Sequence, residues 1–198
     1  MNYQTIYHYT NPDGWNGIVN GQKDYLVKHP LTNKLVDSES VKGWMLPHRR
    51  LISEGIESSL VPNEATSPAI FGLLEPIPIS WIQYRDSSCE SIWNYLLSCC
   101  RRGQEKIVLL KLNLLSKDNP QVFDYVHIRR TAKNLREMKY TEEYRRTMAE
   151  GNKIYWDSRV KLEDYEGNFV LPEIVVFSPI PIERIEFVKE QDLSLLTI

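Results

Sequence analysis

The chain opens on a strand-like alternation. Residues 3–10 read as Tyr-Gln-Thr-Ile-Tyr-His-Tyr-Thr, a β-strand with one polar group out of place, an imidazole among tyrosines. With successive side chains on opposite faces, His8 shares a face with Ile6, and Tyr7 and Tyr9 share the other. A short helix follows over residues 11–21: Asn11 can cap it, Pro12 suits its first position, and Gly21 can end it in a left-handed conformation. Residues 22–68 lack periodicity and are interrupted by Pro30, Pro47, Pro62 and Pro68. The run Ala69-Ile70-Phe71-Gly72-Leu73-Leu74 predicts a buried strand, stopped by Pro76 and Pro78. Ser87-Ser88-Cys89-Glu90 has the form of a capping box, and Ile92, Leu96, Cys99 and Cys100 continue at helical spacing as far as Gly103.

Strands are expected at residues 106–112 and, by alternation, 121–128. Residues 131–150, rich in Lys, Arg, Glu and Met and free of Pro and Gly, predict one helix. Residues 154–160, 169–177 and 184–189 complete the strand set. Strands outnumber helices without a regular βαβ alternation, which predicts an α+β fold around antiparallel or mixed sheets.

Size and charge narrow the partners. A chain of 198 residues suits a single domain over residues 1–198. Hydrophobic residues at 42% and charged residues at 25% are ordinary for a globular protein, and a net charge of -2 gives no overall basic field. No apolar run reaches the ~18 residues needed to span a bilayer, so no membrane partner is expected. Residues 1–10 lack the basic and apolar regions of a secretory signal. Three cysteines, Cys89, Cys99 and Cys100, all placed on the helix that opens at the Ser87–Glu90 capping box, and four scattered histidines show no metal-ligand spacing, so no structural metal is expected. The cysteines read as reduced thiols of a cytoplasmic protein, which includes a host cytosol for an injected effector.

Two carboxylates sit in apolar settings. Glu173 stands between Pro172, which cannot donate to a ladder, and the run Ile174-Val175-Val176-Phe177. Burying a carboxylate is costly unless it has a partner or a task, and a rigid strand entrance is a suitable mount for a catalytic one. The plain alternative is a strand-end glutamate paired with an arginine or facing water, just as His8 alone is satisfied as a core histidine. Glu75, flanked by prolines, is expected in an exposed loop. Residues 129–146 carry seven bases against three glutamates, interleaved with Tyr140 and Tyr144, a pattern suited to a phosphate backbone or to a solvated helix face. No GxSxG, GxGxxG or GxxxxGK stretch is present, which disfavours serine hydrolases, Rossmann enzymes and P-loop kinases.

Taken together, Ile6-Tyr7-His8-Tyr9-Thr10 with the helix after it, and Pro172-Glu173-Ile174-Val175-Val176-Phe177 with Pro181-Ile182-Glu183-Arg184-Ile185-Glu186-Phe187, resemble the two ends of the ADP-ribosyltransferase superfamily. The closest branch is the His-type one, with the poly-ADP-ribose polymerases, RNA 2′-phosphotransferases and DNA-modifying toxins. The resemblance covers about 35 residues. It implies split mixed or antiparallel sheets flanked by a few helices, with NAD as co-substrate. It also implies Glu173 as the catalytic residue and His8, Tyr9 and Thr10 as NAD-binding. In this branch a middle segment supplies an aromatic that stacks on nicotinamide, and Ser67-Pro68-Ala69-Ile70-Phe71 is the candidate, with Phe71 or Tyr84 in that role. Leu171 stands where arginine-modifying toxins carry Glu or Gln, which makes arginine a less expected acceptor. The implied activity is transfer of ADP-ribose to a protein or nucleic-acid acceptor. NAD glycohydrolysis and an inactive adaptor module of the same fold are the alternatives.

Overall fold

A computed structural model describes residues 4–21, 26–28, 35–37, 42–47, 49–50, 67–86, 89–100 and 105–195. The elements along the chain are β1 (Gln4–Thr10), α1 (Pro12–Asn20), β2 (Leu26–Lys28), β3 (Leu35–Asp37), β4 (Trp44–Met45), β5 (Arg49–Arg50) and β6 (Pro68–Gly72). They continue with α2 (Ile79–Gln83), β7 (Arg85–Asp86), β8 (Cys89–Glu90), α3 (Ser91–Cys99), β9 (Lys106–Leu114), β10 (Gln121–Asp124), α4 (Val126–Leu135) and α5 (Glu142–Asp157). Short strands β11 (Val160–Lys161) and β13 (Ile180–Pro181) flank β12 (Pro172–Val176), and β14 (Ile185–Asp192) comes last.

Two antiparallel sheets organise the α+β fold. One has the order β1-β9-β14 and the other β11-β10-β12-β6-β5. They join where Tyr7 and Leu73 exchange both main-chain hydrogen bonds, at 2.8 Å each. Gly72 permits that approach: a Cβ there would lie 2.6 Å from Ile6 Cδ1 and 3.1 Å from the Tyr7 carbonyl oxygen.

The apolar run of β9 is buried on both faces, and its alternation divides two cores. Val108, Leu110, Leu112 and Leu114 pack with Ile6, Ile70, Val122, Ile174 and Val176, whereas Ile107 and Leu109 pack with Tyr9, Trp81, Ile92 and Leu96. A third core lies under α5, where Tyr155 and Trp156 cover Ala69, Phe71, Phe123 and Val175.

The helix after β1 forms as its sequence predicts. Asn11 Oδ1 accepts the Gly14 N–H at 2.8 Å, and Gly21, at φ 76°, donates its N–H to the Gly17 carbonyl. Four expectations are corrected. The strand over 121–128 stops at Asp124, whose carboxylate accepts the Val126 N–H and turns the chain into α4. The single helix over 131–150 is two helices, because Thr141 adopts an extended conformation and its hydroxyl accepts the Tyr144 N–H, starting α5 anew. The strand over 154–160 is the last turn of α5 as far as Asp157, and only Val160 is extended, in β11: Asn152, Tyr155 and Trp156 recur at helical spacing on the buried face of α5. Cys89 and Glu90 lie in β8 rather than on the helix, which begins at Ser91; Ser87, Ser88 and Gly103 fall outside the described residues.

Helices α4 and α5 cross closely at Gly151. A Cβ there would meet Thr131 Oγ1 at 2.0 Å and Thr131 Cβ at 2.7 Å. Substituting Gly151→Ala gains about 1 kcal/mol of helix propensity but forces overpacking worth about 1–3 kcal/mol. The expected result is net destabilisation in urea unfolding, whereas a more stable variant would contradict this packing.

Candidate functional site

Glu173 lies on β12, the central strand of the five-stranded sheet, and is only 2% exposed. Its neighbours across the ladders are Phe123 on β10 and, through Val175, Phe71 on β6, so the carboxylate emerges on the aromatic face under α5. Tyr155 reaches down from α5 and donates its hydroxyl to Glu173 Oε2 at 2.8 Å. Burial and then the adjacent Glu173 carboxylate raise the Tyr155 phenol well above its ordinary range, so it stays protonated and can only donate to that oxygen.

The segment that delivers Glu173 is fixed on every side. Asp124 Oδ1 accepts the Leu171 N–H at 2.9 Å and Oδ2 the Val170 N–H at 3.2 Å, while Trp81 Nε1 donates to the Pro172 carbonyl at 3.1 Å. Trp81 is itself held between Tyr125, stacked at 5.4 Å, and Tyr95, edge-on at 5.2 Å, and Tyr125 meets Tyr155 edge-on at 6.5 Å. A continuous set of rings therefore backs the carboxylate and its strand.

His8 is 4% exposed on the face that β1 shares with Ile6, as its spacing predicts. Its Nδ1 lies 2.6 Å from the Phe71 carbonyl oxygen. A carbonyl can only accept, so Nδ1 carries the proton, and Nε2 is the nitrogen whose role changes with ring charge. Tyr9 points the other way, its hydroxyl donating to the Pro76 carbonyl at 2.7 Å and its phenol raised by burial. The main chain of Tyr9 faces a different direction from its ring. Tyr7 bonds to Leu73 on the side away from β9, and the two-residue repeat turns the Tyr9 N–H and carbonyl to that same side. Thr10 is partly buried beside the start of α1, with its hydroxyl against Gly14.

Of the two middle aromatics, Phe71 shares the face and the core of Glu173, and Tyr84 packs with the core around Tyr9. The structure thus brings His8, Phe71 and Glu173 onto three successive strands, β1, β6 and β12. It keeps Tyr84 apart from Glu173, and Glu75 is exposed in the loop before Pro76. Sequence reasoning missed Asp124, Trp81 and Tyr155 as the groups that hold this segment. Tyr155 could have been found by its spacing from Asn152 had the segment been read as helix rather than strand.

No family model, curated protein or solved structure matches the chain. Among the described residues no group of three or more His, Cys, Asp or Glu side chains could hold a metal ion, and no helix is long and apolar enough to cross a membrane. Cys99 and Cys100 are both free thiols, and their sulfurs donate to carbonyls one helical turn back.

Chemically, the site offers one buried carboxylate with a fixed orientation, a histidine of assigned tautomer and a main-chain edge, on adjoining rigid strands. An ion pair between the buried Asp118 and the Arg184 guanidinium lies elsewhere: Asp118 Oδ2 also accepts the Leu115 N–H at 2.8 Å, which makes it a lock on the turn after β9.

Proposed function

We propose that the chain is an NAD-dependent ADP-ribosyltransferase in which Glu173 stabilises the ribose cation and His8, Thr10, Phe71 and the Tyr9 main chain hold NAD. One observation carries the reading: the His8 ring bonds to the Phe71 carbonyl, tying the first strand to the neighbour of the strand that presents Glu173. His8 and Glu173, 165 residues apart in the sequence, thereby lie on β1 and β12 with β6 between them, which supports the reading.

The chemistry suits a single carboxylate. Breaking the bond between nicotinamide and ribose sends its electron pair to the departing ring, which leaves neutral and needs no proton. Positive charge develops on the ribose. Two carboxylates are the rule for sugars with poorer leaving groups, and one suffices here. Oriented by the Tyr155 hydroxyl, the Glu173 carboxylate would accept a ribose hydroxyl and face the cation, an effect worth about 3 kcal/mol for a well-placed group. His8 Nε2 would meet a ribose hydroxyl, the Tyr9 N–H and carbonyl would pair with the nicotinamide amide, and the Phe71 ring would stack on its plane. The acceptor nucleophile would then form its bond to the ribose carbon and pass its proton to solvent.

A second reading has its own support. Glu173 is buried and already bonded to Tyr155, which also suits a binding module of the same fold that performs no chemistry. Thermal unfolding with and without millimolar NAD separates the two. A ligand bound only by the native state raises its apparent stability, by about 2.7 kcal/mol at a hundredfold excess over Kd. The expected result is an NAD-dependent rise in Tm that His8→Ala diminishes while remaining folded. No shift in the wild type would favour the binding module, and an unfolded His8→Ala would return the histidine to a purely core role.

A further inference from the structure

The charge of this chain is distributed unevenly. Residues 129–146, from α4 through the turn into α5, hold seven Lys and Arg against Glu137, Glu142 and Glu143, a local +4 in a chain of -2, so the remainder carries -6. Arg130, Lys133, Arg136, Lys139, Arg145 and Arg146 are all exposed. The crossing of Thr131 with Gly151 sets the two helices as a hairpin, which places Arg136, Lys139, Arg145 and Arg146 at its turn end.

Tyr140 sits at that turn and is 71% exposed, the most exposed large aromatic side chain among the described residues. Its ring lies 5.1 Å from that of Tyr144, and the Arg145 guanidinium lies 5.3 Å from its centroid. Arg145 also approaches Glu142 at 3.7 Å, so one carboxylate of the three is engaged by a cation of the same helix. The hairpin turn thus presents an exposed aromatic face within a local positive field that attracts anions.

We propose that the turn end of the α4–α5 hairpin binds single-stranded nucleic acid, with Tyr140 stacking on a base and Arg136, Lys139, Arg145 and Arg146 meeting phosphates. A single strand fits better than a duplex because its bases can leave the stack and offer a face to the tyrosine. An acidic protein segment would satisfy the cations and leave the ring without a flat partner. The surface stands independently of NAD chemistry. If Glu173 acts as proposed, α5 links the two sites, since Tyr144 and Tyr155 lie eleven residues apart on it, or ~16 Å along its axis.

The test is fluorescence anisotropy of labelled oligothymidylate and oligouridylate of about 12 nucleotides, a length within the usual site range, with the full chain and no NAD. The expected binding is saturable and falls with salt at a log–log slope of about -2 to -3, for three to four phosphates. Tyr140→Ala weakens it about tenfold or more while Tyr140→Phe retains it, because stacking needs the ring and not the hydroxyl. The double variant Arg136→Gln/Lys139→Gln flattens the slope by about 1.4. Both substitutions lie on exposed positions, and circular dichroism confirms that each variant is folded. A preference for one oligonucleotide identifies the nucleic acid and supports the proposal. Binding of a duplex as tight as that of the single strand, displacement by polyglutamate at equal charge, or indifference to Tyr140→Ala would each overturn it. Loss of NAD turnover with oligonucleotide binding intact would count against the catalytic reading alone.

Discussion

Replacing Glu173 by Gln is expected to lower nicotinamide release from NAD by about 10²–10³-fold while leaving the fold intact. On the proposed reading the substitution removes the negative charge that would stabilise the ribose cation, and a single preorganised electrostatic group of this kind contributes about that factor. It preserves shape: the Gln carbonyl can still accept the Tyr155 hydroxyl, so the bond that orients the side chain survives. The cost to stability is small for the same reason, since a neutral amide is easier to bury than a carboxylate. Release measured by chromatography, with urea unfolding of the same samples, separates the two effects. Undiminished release by a folded Glu173→Gln variant would remove Glu173 from the chemistry.

The largest effect on stability is expected at Asp124. Its carboxylate is buried and accepts three main-chain N–H groups, from Val126, Val170 and Leu171, and thus fastens the start of α4 to the segment that leads into β12. Asp124→Ala orphans those donors at a cost of about 1 kcal/mol or more for each buried group, so a loss of about 3–5 kcal/mol follows. Asp124→Asn should be milder. Its amide oxygen can keep the Val126 and Leu171 N–H groups, and its NH₂ meets the Val170 donor, losing about one bond. Equilibrium unfolding of the pair checks the ordering; equal stability of the two variants would mean that the three bonds do not fasten this segment.

The sequence made the strands legible where alternation or continuous apolarity carried through. The segments of β1, β9, β12 and β14 were all expected from their residues, and so was α1 with its Asn11 cap. Between residues 121 and 160 it failed at 125–128, 136–141 and 154–157, for a physical reason. Val122-Phe123-Asp124-Tyr125-Val126 alternates like a strand, and only the fold shows that Asp124 turns back to accept the Val126 N–H. Tyr155 and Trp156 have the composition of a strand but sit on a helix, because burial against Phe123 at 5.0 and 5.9 Å outweighs their local preference. The site was legible in part. His8, Phe71 and Glu173 were each singled out, yet their adjacency depends on Gly72 letting β6 reach β1, which no local pattern encodes. Tyr155, the direct partner of Glu173, was hidden by the same misreading of α5.

The fold also accounts for how one carboxylate is kept in place at the strand entrance. Asp124 bonds Val170 and Leu171, Trp81 bonds Pro172 and Tyr155 bonds Glu173, so the segment is held from three elements, β10, α2 and α5. Such redundancy is what a preorganised electrostatic site needs, because the carboxylate must not reorient as charge develops.

The measurement that tests the central claim most directly is nicotinamide release from NAD by the purified wild-type chain, with the intact mass recorded alongside and with cell extract supplied as a source of acceptors. The account predicts release that depends on Glu173 and His8, with ADP-ribose recovered on an acceptor or as the free sugar nucleotide. Absence of release with and without extract, from protein shown to be folded, would contradict it and leave the chain a binding module.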